Sequence, residues 1–528
     1  MFIQRILKKT DTKTYSSVVL MESYREEGKV KHRVISNLSK WPESLINEFE
    51  KTLKGETVNT IADLQLSSGK SLGAITAISQ IAGRLGIIQA MGDSKQGKLA
   101  LFQIAGRIIS QGSRNYLANE WTKGQAVESV FKLTNFTEDD LYVNLDWLSE
   151  NQTAIEKKIF DYRNNKTALK EIFLYDVTSS YLEGDKNELA QYGYNRDKKT
   201  GKKQIVIGLM TDSQGYPVTV EVFSGNTGDT KTVSNQLLKL KADFGVERVI
   251  FVGDKGMIKN AQINELTSED YKWNYLTTIT KEQIQTLIKQ DVIQLELFGN
   301  ELVEIDDREN GTRYILRRNP VRDIEIKQIR QTKIDSIISL AAEQDTYLAE
   351  HKNAKLEVAL RKITTKIEKF KLKKIISCTL NDNKLNLEID TQAQEEIEKL
   401  DGCYVVKTDV PKDIVDMKIL HDRYKDLSKV EFAFRTMKTT LEKIRPIFVR
   451  KEERTRGHVF VAMVAYMIIK YITDECATLN YTREFIIESL DKINYLQYTL
   501  KDKTVNVVPQ NLLPHQKDMI DKLKIELK

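Results

Sequence analysis

An apolar run that ends on a carboxylate is the feature that most constrains the fold of this chain. Residues 171–181 read EIFLYDVTSSY, and the four residues from Ile172 to Tyr175 are too few, and too rich in β-branched and aromatic side chains, for an ordinary helix. They predict a strand buried on both faces that ends at Asp176. Taken alone, Asp176 is more simply interpreted as a turn-capping residue. Otherwise it needs a partner or a cation, because burying an unpaired charge is costly.

A second apolar strand ends on a carboxylate further along the chain. Strands are predicted at residues 204–212, 218–223, 248–252 and 275–278, and helices at about 232–244 and 258–266. The strand at 248–252, RVIFV, is followed by Asp254 in the sequence GDKG. Three closely connected strands, then helix, strand, helix and strand, is the order of a ribonuclease-H-like sheet, in which the first and fourth strands are neighbours. We therefore expect Asp176 and Asp254 at one sheet edge, where two acids repel unless a divalent cation lies between them.

A third carboxylate is available in the sequence YKDLSKVEFAFRTMK, residues 424–438. Tyr424, Glu431 and Lys438 are spaced by seven residues, close to two helical turns, which predicts that they share one stripe of a helix. Arg435 follows Glu431 by one turn. A surface ion pair between Glu431 and Arg435 is the plain alternative. We favour a site because two acid-terminated strands come before this helix.

A basic loop precedes the second strand of the predicted sheet. Its sequence, NRDKKTGKK at residues 195–203, surrounds a glycine with cations near the predicted metal edge. This is suitable chemistry for clamping a DNA backbone phosphate. A solubilising hairpin tip is the alternative. The candidate phosphate contacts are Arg196, Lys198, Lys199, Lys202 and Lys203.

Taken together, these motifs resemble the DDE-type insertion-sequence transposases. The matching stretches are YDVT at Asp176, YGYNRDKKTGKKQIVIGL from Tyr192, GNTGDT from Gly225, GDKGM at Asp254 and Y…VE…FR..K from Tyr424. The last stretch is similar to the signature Tyr-x2-Arg-x3-Glu-x6-Lys of the IS4 superfamily, and most of all to its IS1634 branch. The signature arginine falls at position 427, where this chain has Leu427, so Arg435 becomes the candidate for its phosphate contact.

The resemblance implies two-metal phosphoryl transfer by a DNA transposase. Asp176, Asp254 and Glu431 would hold two Mg²⁺ ions, for which Mn²⁺ can substitute, roughly 3.5–4 Å apart. One ion would activate water or a DNA 3′-hydroxyl and the other would stabilise the leaving oxygen, while Tyr424 and Lys438 would contact phosphates. The implied activity is cleavage of transposon ends and joining of their 3′ ends to target DNA. The implied partners are terminal inverted repeats and target DNA, bound by a homodimer on paired ends.

Two other functions stay open at this stage. One is a ribonuclease-H-like nuclease without strand-transfer activity, and the other is a catalytically silent DNA-binding regulator. The formal charge of +6, with 81 Lys and Arg against 75 Asp and Glu, permits nucleic-acid binding without demanding it.

The 528 residues are too many for one core and predict several domains. The expected fold is α/β, with a ribonuclease-H-like catalytic core interrupted by an α+β insertion. The predicted divisions are a β-rich unit at 1–70, a helical domain at 71–165, the catalytic core at 166–285 and 401–475, the insertion at 286–400 and a helical tail at 476–528. An ordinary domain with solvated charges is at least as good an interpretation of the helical domain as a DNA-binding domain. The resemblance gives the insertion a role in binding the transposon end. Its long basic helix, at about 323–371, is interpreted equally well as a phosphate-tracking surface or as a solvated stalk.

Several classes of site and location are disfavoured by the sequence. The three cysteines, Cys378, Cys403 and Cys476, lack ligand-like spacing, which indicates a reducing compartment and no structural zinc. There is no GxxxxGK[ST] phosphate loop and no visible Ser-His-Asp constellation. The apolar stretch 459–472 is short and interrupted by Lys470, and no signal peptide is recognisable, so we expect a cytoplasmic protein with no membrane partner. The family resemblance implies a bacterial protein that acts on the chromosome.

Three basic residues follow the predicted catalytic helix. Arg454 and Arg456 are candidate DNA contacts. His458 is interpreted equally well as a residue that orients a phosphate or a carboxylate and as a hydrogen-bonded structural histidine.

Overall fold

A computed structural model gives the fold of the chain. It describes residues 1–9, 14–55, 64–167, 172–197, 199–299, 301–307, 310–351, 353–381, 384–439, 447–500 and 503–528. The chain forms two compact units of mixed α/β structure. The first unit consists mainly of Met1–Tyr162 and Glu453–Lys528, and the second mainly of Arg163–Lys438.

The first unit begins with the predicted β-rich region. Its first elements are β1 (Phe2–Lys9), β2 (Thr14–Glu26), β3 (Lys29–Asn37), α1 (Glu43–Leu53) and β4 (Leu64–Ser71). Strands β1, β2 and β3 form an antiparallel sheet, and Ile3, Leu20 and Ile46 belong to the core between this sheet and α1. The prediction of a β-rich amino terminus is confirmed for the described residues.

A helical region follows, as the 3.6-residue spacing of its apolar residues predicts. It contains α2 (Gly73–Arg84), α3 (Ile87–Met91), α4 (Lys95–Ile109), α5 (Arg114–Tyr116), α6 (Thr122–Gly124), α7 (Val127–Phe131) and α8 (Glu138–Thr167). Ile75, Ile78 and Ile104 are fully buried, so the predicted apolar faces form core. The hydroxyl of Thr137 accepts a hydrogen bond from the Asp140 backbone N–H (3.4 Å), which caps α8.

The second unit is built on a large mixed sheet. Its first elements are β5 (Ile172–Tyr181), β6 (Gln204–Asp212), β7 (Pro217–Ser224), α9 (Asp229–Leu238), β8 (Ile250–Gly253), α10 (Asn260–Leu266), β9 (Asn274–Thr278) and α11 (Lys281–Lys289). These strands lie in the order β7-β6-β5-β8-β9, so the first and fourth are neighbours, as predicted. They are parallel, with Ile172 opposite Ile250 and Tyr175 opposite Gly253.

Strand β5 does not end at Asp176, and that prediction is wrong. The strand continues to Tyr181, because its second half pairs antiparallel with β6, with Asp176 opposite Leu209 and Tyr181 opposite Gln204. What ends beside Asp176 is the parallel pairing with β8. Asp176 therefore lies inside a central strand.

The rest of the second unit extends this sheet and adds a separate small core. Its elements are β10 (Val303–Asp307), β11 (Thr312–Arg318), α12 (Pro320–Glu350), α13 (Leu356–Phe370), β12 (Ile376–Asn381), β13 (Lys384–Ile389), α14 (Thr391–Glu398), β14 (Cys403–Thr408), α15 (Met417–Lys425) and α16 (Leu427–Thr439). Strand β14 pairs with β9, β11 with β14 and β10 with β11, which completes eight strands.

Two expectations for the insertion need correction. Its first strands, β10 and β11, belong to the main sheet, and the predicted long helix is two helices, α12 and α13. The segment between α11 and β10 contains a short 3₁₀ turn, Leu295–Leu297. Helices α12 and α13 and the hairpin β12–β13 share an apolar core that includes Ile337 and Ile363.

The carboxy-terminal region belongs to the first unit. It was predicted to be helical, but it also contains strands. Its elements are α17 (Glu452–Glu475), α18 (Arg483–Asp491), β15 (Asn494–Leu500), β16 (Lys503–Val507) and α19 (Pro514–Leu523). Strand β15 pairs antiparallel with β16 and with β4 from the amino-terminal region. A hydrogen-bonded partner more than 400 residues away makes this segment a strand.

Helix α17 packs in the first unit rather than in the predicted catalytic core. It is long and apolar enough to cross a membrane, but 78% of its most apolar window is buried inside the protein. A side chain at Gly457 would meet the backbone oxygen of Leu145 at 2.3 Å, so α17 and α8 are in close backbone contact. The burial of α17 inside the protein explains its apolar composition, which by length and hydropathy alone would also fit a membrane-spanning helix.

The basic residues near the start of α17 have partners in the first unit. Arg454 pairs with Asp146 (3.1 Å). His458 is buried, and its Nδ1 lies 3.2 Å from a guanidinium nitrogen of Arg114. The structural interpretation of His458 is therefore confirmed, and DNA contacts by Arg454 and Arg456 stay predictions.

Candidate active site

The two aspartates meet where β5 and β8 stop pairing. Tyr175 and Gly253 are the last parallel partners, so Asp176 and Asp254 are the next residues on adjacent strands. Asp176 is half-buried, whereas Asp254 is exposed. The backbone oxygen of Asp254 accepts hydrogen bonds from Met257 (2.9 Å) and Ile258 (3.0 Å), which forms a turn before α10. Strand register thus brings together two carboxylates that are 78 positions apart in the sequence.

Glu431 lies on α16 and is exposed. Its charge acts on Asp176, as does the charge of Asp254. Burial is the main cause that raises the pKa of Asp176 to about 7, while the backbone N–H of Val177 opposes the rise and the two acids add to it. The charges of Asp254 and Glu431 therefore reach Asp176 and add to the effect of its burial.

The three acids have the right chemistry for magnesium but are not assembled as a ligand cluster. Among the described residues, no group of three His, Cys, Asp or Glu side chains is close enough to hold a metal ion. Carboxylate oxygens are the ligands that Mg²⁺ prefers, and a cation would relieve the repulsion that acts on Asp176. Asp254 and Glu431 are exposed, and exposed side chains change rotamer within nanoseconds, so these two could complete a ligand set around Asp176.

Tyr424 lies beside this group of acids, although not on the same helix as Glu431. Its hydroxyl is 2.9 Å from the hydroxyl of Thr278 on β9. Burial raises the pKa of Tyr424 to about 12, and the charges of Asp254 and Glu431 contribute to that rise.

The single helix predicted for Tyr424, Glu431 and Lys438 is interrupted. Tyr424 belongs to α15, whereas Glu431 and Lys438 belong to α16, and Asp426 lies between the two helices. The carboxylate of Asp426 pairs with Arg423 (2.7 Å) and with Lys429 (2.9 Å), one on either side of the interruption.

Lys438 is not a surface lysine, the alternative that its sequence context left open. Its side chain is only 10% exposed and forms a salt bridge with Asp197 (3.2 Å). Its Nζ also donates to the hydroxyl of Thr178 (2.6 Å) and to the backbone oxygen of Ser179. Lys438 thereby ties α16 to β5 just beyond Asp176, and its contact with a DNA phosphate stays a prediction.

Arg435 is exposed on α16, one turn beyond Glu431. This is the position that its four-residue spacing from Glu431 predicts, on the same helix. Its phosphate contact is likewise still a prediction.

The basic loop approaches the acids through Arg196. The Arg196 backbone N–H donates to the hydroxyl of Ser179 (2.9 Å), and its guanidinium donates to Asp229 (2.5 Å). Its charge partly offsets the rise in the pKa of Asp176.

The other loop cations differ in their partners. Lys202 pairs with Glu183 (2.8 Å) at the surface. Lys199 lies over the ring of Tyr181 and Lys203 over the ring of Tyr192, each at 5.9 Å from the ring centre. Lys198 lies outside the described residues. DNA binding by this loop stays a prediction.

Sequence reasoning missed a basic pocket on the Asp254 side. A cavity of about 470 Å³ is lined by Lys255, Lys259 and Lys407, together with Thr278, whose hydroxyl contacts Tyr424. Burial lowers the pKa of Lys407. The position of Lys255 directly after Asp254 was the available signal, whereas Lys407 reaches the pocket only because β14 pairs with β9.

Comparisons with known proteins agree with the motifs. Residues 3–61 match the family described as IS1634 family transposase, N-terminal domain, and residues 167–468, more than half of the chain, match the transposase DDE domain. No curated protein sequence matches the chain.

Two solved transposase structures are similar at low identity. One is the cryo-EM structure of a piggyBac transposase synaptic complex with hairpin DNA, with 10% identity over 79% of this chain and 76% of that chain and a TM-score of 0.36. The other is a Mos1 transposase paired-end complex with the left transposon end, with 13% identity over 28% of this chain and 52% of that chain and a TM-score of 0.15.

Proposed function

Since this chain belongs to the IS1634 branch of the DDE insertion-sequence transposases, we propose that it cuts transposon ends and joins the freed 3′-hydroxyls to target DNA in a Mg²⁺-dependent reaction. The observation that carries this proposal is that strand register places Asp176 beside Asp254, and that the charges of Asp254 and of Glu431 on α16 both act on Asp176. The strand order β7-β6-β5-β8-β9 supports a ribonuclease-H-like core.

Asp176, Asp254 and Glu431 would hold the magnesium ions. When bound, the metal supplies an activated nucleophile and charge stabilisation at the leaving oxygen. Asp176 is fixed by a central strand that pairs on both sides, so it would give the site a rigid anchor. Lys438 acts as a positioning residue, since its bonds to Thr178 and Ser179 hold the helix that carries Glu431 against the strand that carries Asp176.

DNA would pass the acids between two basic surfaces. The loop that carries Arg196 approaches from the Asp176 side, and the pocket of Lys255, Lys259 and Lys407 lies on the Asp254 side. Lysine and arginine side chains neutralise DNA phosphates and release condensed counterions, so both surfaces suit the backbone of a bound strand. A homodimer on paired ends is the assembly that the family resemblance implies.

The proposal is tested by end cleavage with the element's own terminal sequence and Mg²⁺. We expect Asp176→Ala and Glu431→Ala to abolish cleavage while DNA binding is retained. Glu269→Ala is a matched control, because Glu269 is an exposed acid of the same unit that pairs with the exposed Lys272. Cleavage at the unaltered rate in Asp176→Ala or Glu431→Ala would refute the site.

A second experiment separates a transposase from a nuclease. A pre-cleaved end that already carries a 3′-hydroxyl is supplied with a target plasmid and Mg²⁺. A transposase joins the two molecules, whereas a nuclease of the same fold leaves the plasmid unjoined. Failure to join, together with retained cleavage, would replace the transposase proposal by the nuclease one.

A further inference from the structure

Two tyrosines of the basic loop region are almost fully open to solvent. Tyr194 is 81% exposed, more than any other large hydrophobic residue in the described part of the chain, and Tyr192 is 65% exposed. Single exposed apolar side chains are common and need no explanation. Two aromatic rings two positions apart, beside a predicted catalytic site, form a surface that does need one.

The backbone that carries these rings is held rigidly. Gln191 and Gln204 exchange two backbone hydrogen bonds (3.1 and 2.9 Å), and the side chain of Gln204 donates to the backbone oxygens of Tyr194 (3.1 Å) and Gly225 (2.8 Å). Gly193, between the tyrosines, is packed so tightly that a Cβ there would lie 2.1 Å from the oxygen of Gly225. The rings are thus presented by a preorganised segment, which lowers the entropic cost of binding a ligand.

Cations of the same loop accompany the rings. The guanidinium of Arg196 lies 5.6 Å from the centre of the Tyr194 ring, and the ammonium of Lys203 lies 5.9 Å from that of Tyr192. Each ring is large and mostly exposed, so most of its surface is available to another flat group. Aromatic rings that stack on bases, combined with cations that follow the backbone, are the means by which proteins bind single-stranded nucleic acid.

The same segment is linked to the acids. Arg196 is hydrogen-bonded through its backbone to Ser179, three residues beyond Asp176 on β5. A nucleotide held against the tyrosines would therefore lie beside the strand end that the acids process. An unpaired base has lost its stacking partners, and an aromatic side chain on which it stacks compensates for that loss.

We propose that Tyr192 and Tyr194 form a stacking platform for unpaired nucleobases of the DNA strand at the active site, with Arg196 and Lys203 neutralising its phosphates. The inference rests on the proposed function, because it takes DNA as the substrate. It adds a subsite for single-stranded or opened DNA and predicts that this subsite distinguishes unpaired from paired bases.

The test uses 2-aminopurine as a reporter of base stacking. A single-stranded oligonucleotide with one 2-aminopurine, and the same strand annealed to its complement, are titrated with the full-length protein. We expect quenching of the single-strand fluorescence on binding. Tyr194→Ala and Tyr192→Ala should lose that quenching and bind the single strand about 10-fold more weakly, with duplex affinity nearly unchanged.

Matched variants identify the cause of any loss. Tyr194→Phe and Tyr192→Phe keep the ring and should behave as the unaltered protein, and Tyr481→Ala removes an exposed tyrosine of the first unit as a control. The platform is refuted if the alanine variants bind and quench like the unaltered protein, or if phenylalanine and alanine variants lose binding equally. Unchanged thermal unfolding of each variant shows that folding is intact.

The outcomes separate this inference from the proposed function. If the protein cleaves and joins DNA but the tyrosine variants bind single strands normally, only the platform is refuted. If single-strand binding depends on the rings while neither cleavage nor joining occurs, the platform stands and the transposase proposal fails. Absence of any DNA binding refutes both.

Discussion

Asp176 and Asp254 are neighbours at one edge of the sheet, but their surroundings are very different. Asp176 is half-buried within a ten-residue strand, and burial with two neighbouring acids raises its pKa to about 7. Asp254 is exposed in a turn that follows a four-residue strand. Both follow an apolar run in the sequence, so the same local pattern gives a half-buried carboxylate inside a strand in one place and an exposed carboxylate in a turn in the other.

The largest expected effect tests what the two aspartates share. Asp176→Asn and Asp254→Asn should each lower the single-turnover rate of end cleavage by about 10³-fold or more, because a lost metal ligand removes several kcal/mol of transition-state stabilisation. Cleavage products are quantified at saturating Mg²⁺. If Asp254→Asn cleaves normally, the two residues do not share one metal site and the comparison fails.

The next effect concerns the rigidity of the Asp176 side. Lys438→Met should destabilise the second unit by about 3 kcal/mol, because it leaves the mostly buried carboxylate of Asp197 without its cation. Thermal unfolding is compared for Lys438→Met, Asp197→Asn and the double variant. The double variant should be less destabilised than the sum of the singles. Strict additivity would mean that the two side chains are not coupled in solution.

The sequence predicted which strands are neighbours but not how far β5 extends. Strand order followed from the sequence of strands and helices, and it placed Asp176 beside Asp254. The residues Thr178, Ser179 and Ser180 resemble a turn because they are small and polar, yet all three are buried by pairing with β6. Pairing with a distant strand overrides the turn preference of these residues, so the burial of Asp176 could not be predicted from the neighbouring sequence alone.

The candidate site shows the same limit. The heptad spacing placed Glu431 and Lys438 on one helix, but the partners of Lys438 lie about 240 to 260 positions earlier in the chain. Lys407 reaches the pocket beside Asp254 through the pairing of β14 with β9. Local spacing identifies candidate residues, whereas their partners are set by contacts between segments that are distant in sequence.

A smaller expected effect concerns folding stability, in which Asp176 and Asp254 should differ. The folded pKa of Asp176 lies above its ordinary value, so the folded state holds a proton that the unfolded chain releases between about pH 4 and pH 7. Stability of the metal-free protein should therefore fall as the pH rises through that window and level off above it. At pH 8, Asp176→Asn should be more stable than the unaltered protein by on the order of 2 kcal/mol.

The matched control for this effect is Asp254→Asn. Asp254 is exposed, so its neutralisation should change stability by no more than about 0.5 kcal/mol. Thermal unfolding in a chelator at pH 5 and at pH 8 measures both variants. An equal gain for the two variants would show that the burial of Asp176 is not the cause of its effect on stability.

The smallest effect concerns Tyr424, which lies near both Asp254 and Glu431. Tyr424→Phe removes the hydrogen bond to Thr278 and should cost about 1 kcal/mol of stability. If the Tyr424 hydroxyl also contacts a DNA phosphate, its removal should weaken DNA binding at low salt as well as lower stability. Thr278→Val removes the same hydrogen bond and leaves the Tyr424 hydroxyl in place. If the two variants lower stability equally but only Tyr424→Phe weakens DNA binding, the Tyr424 hydroxyl contacts DNA. If neither variant weakens DNA binding, the role of Tyr424 is only to hold α15 against β9.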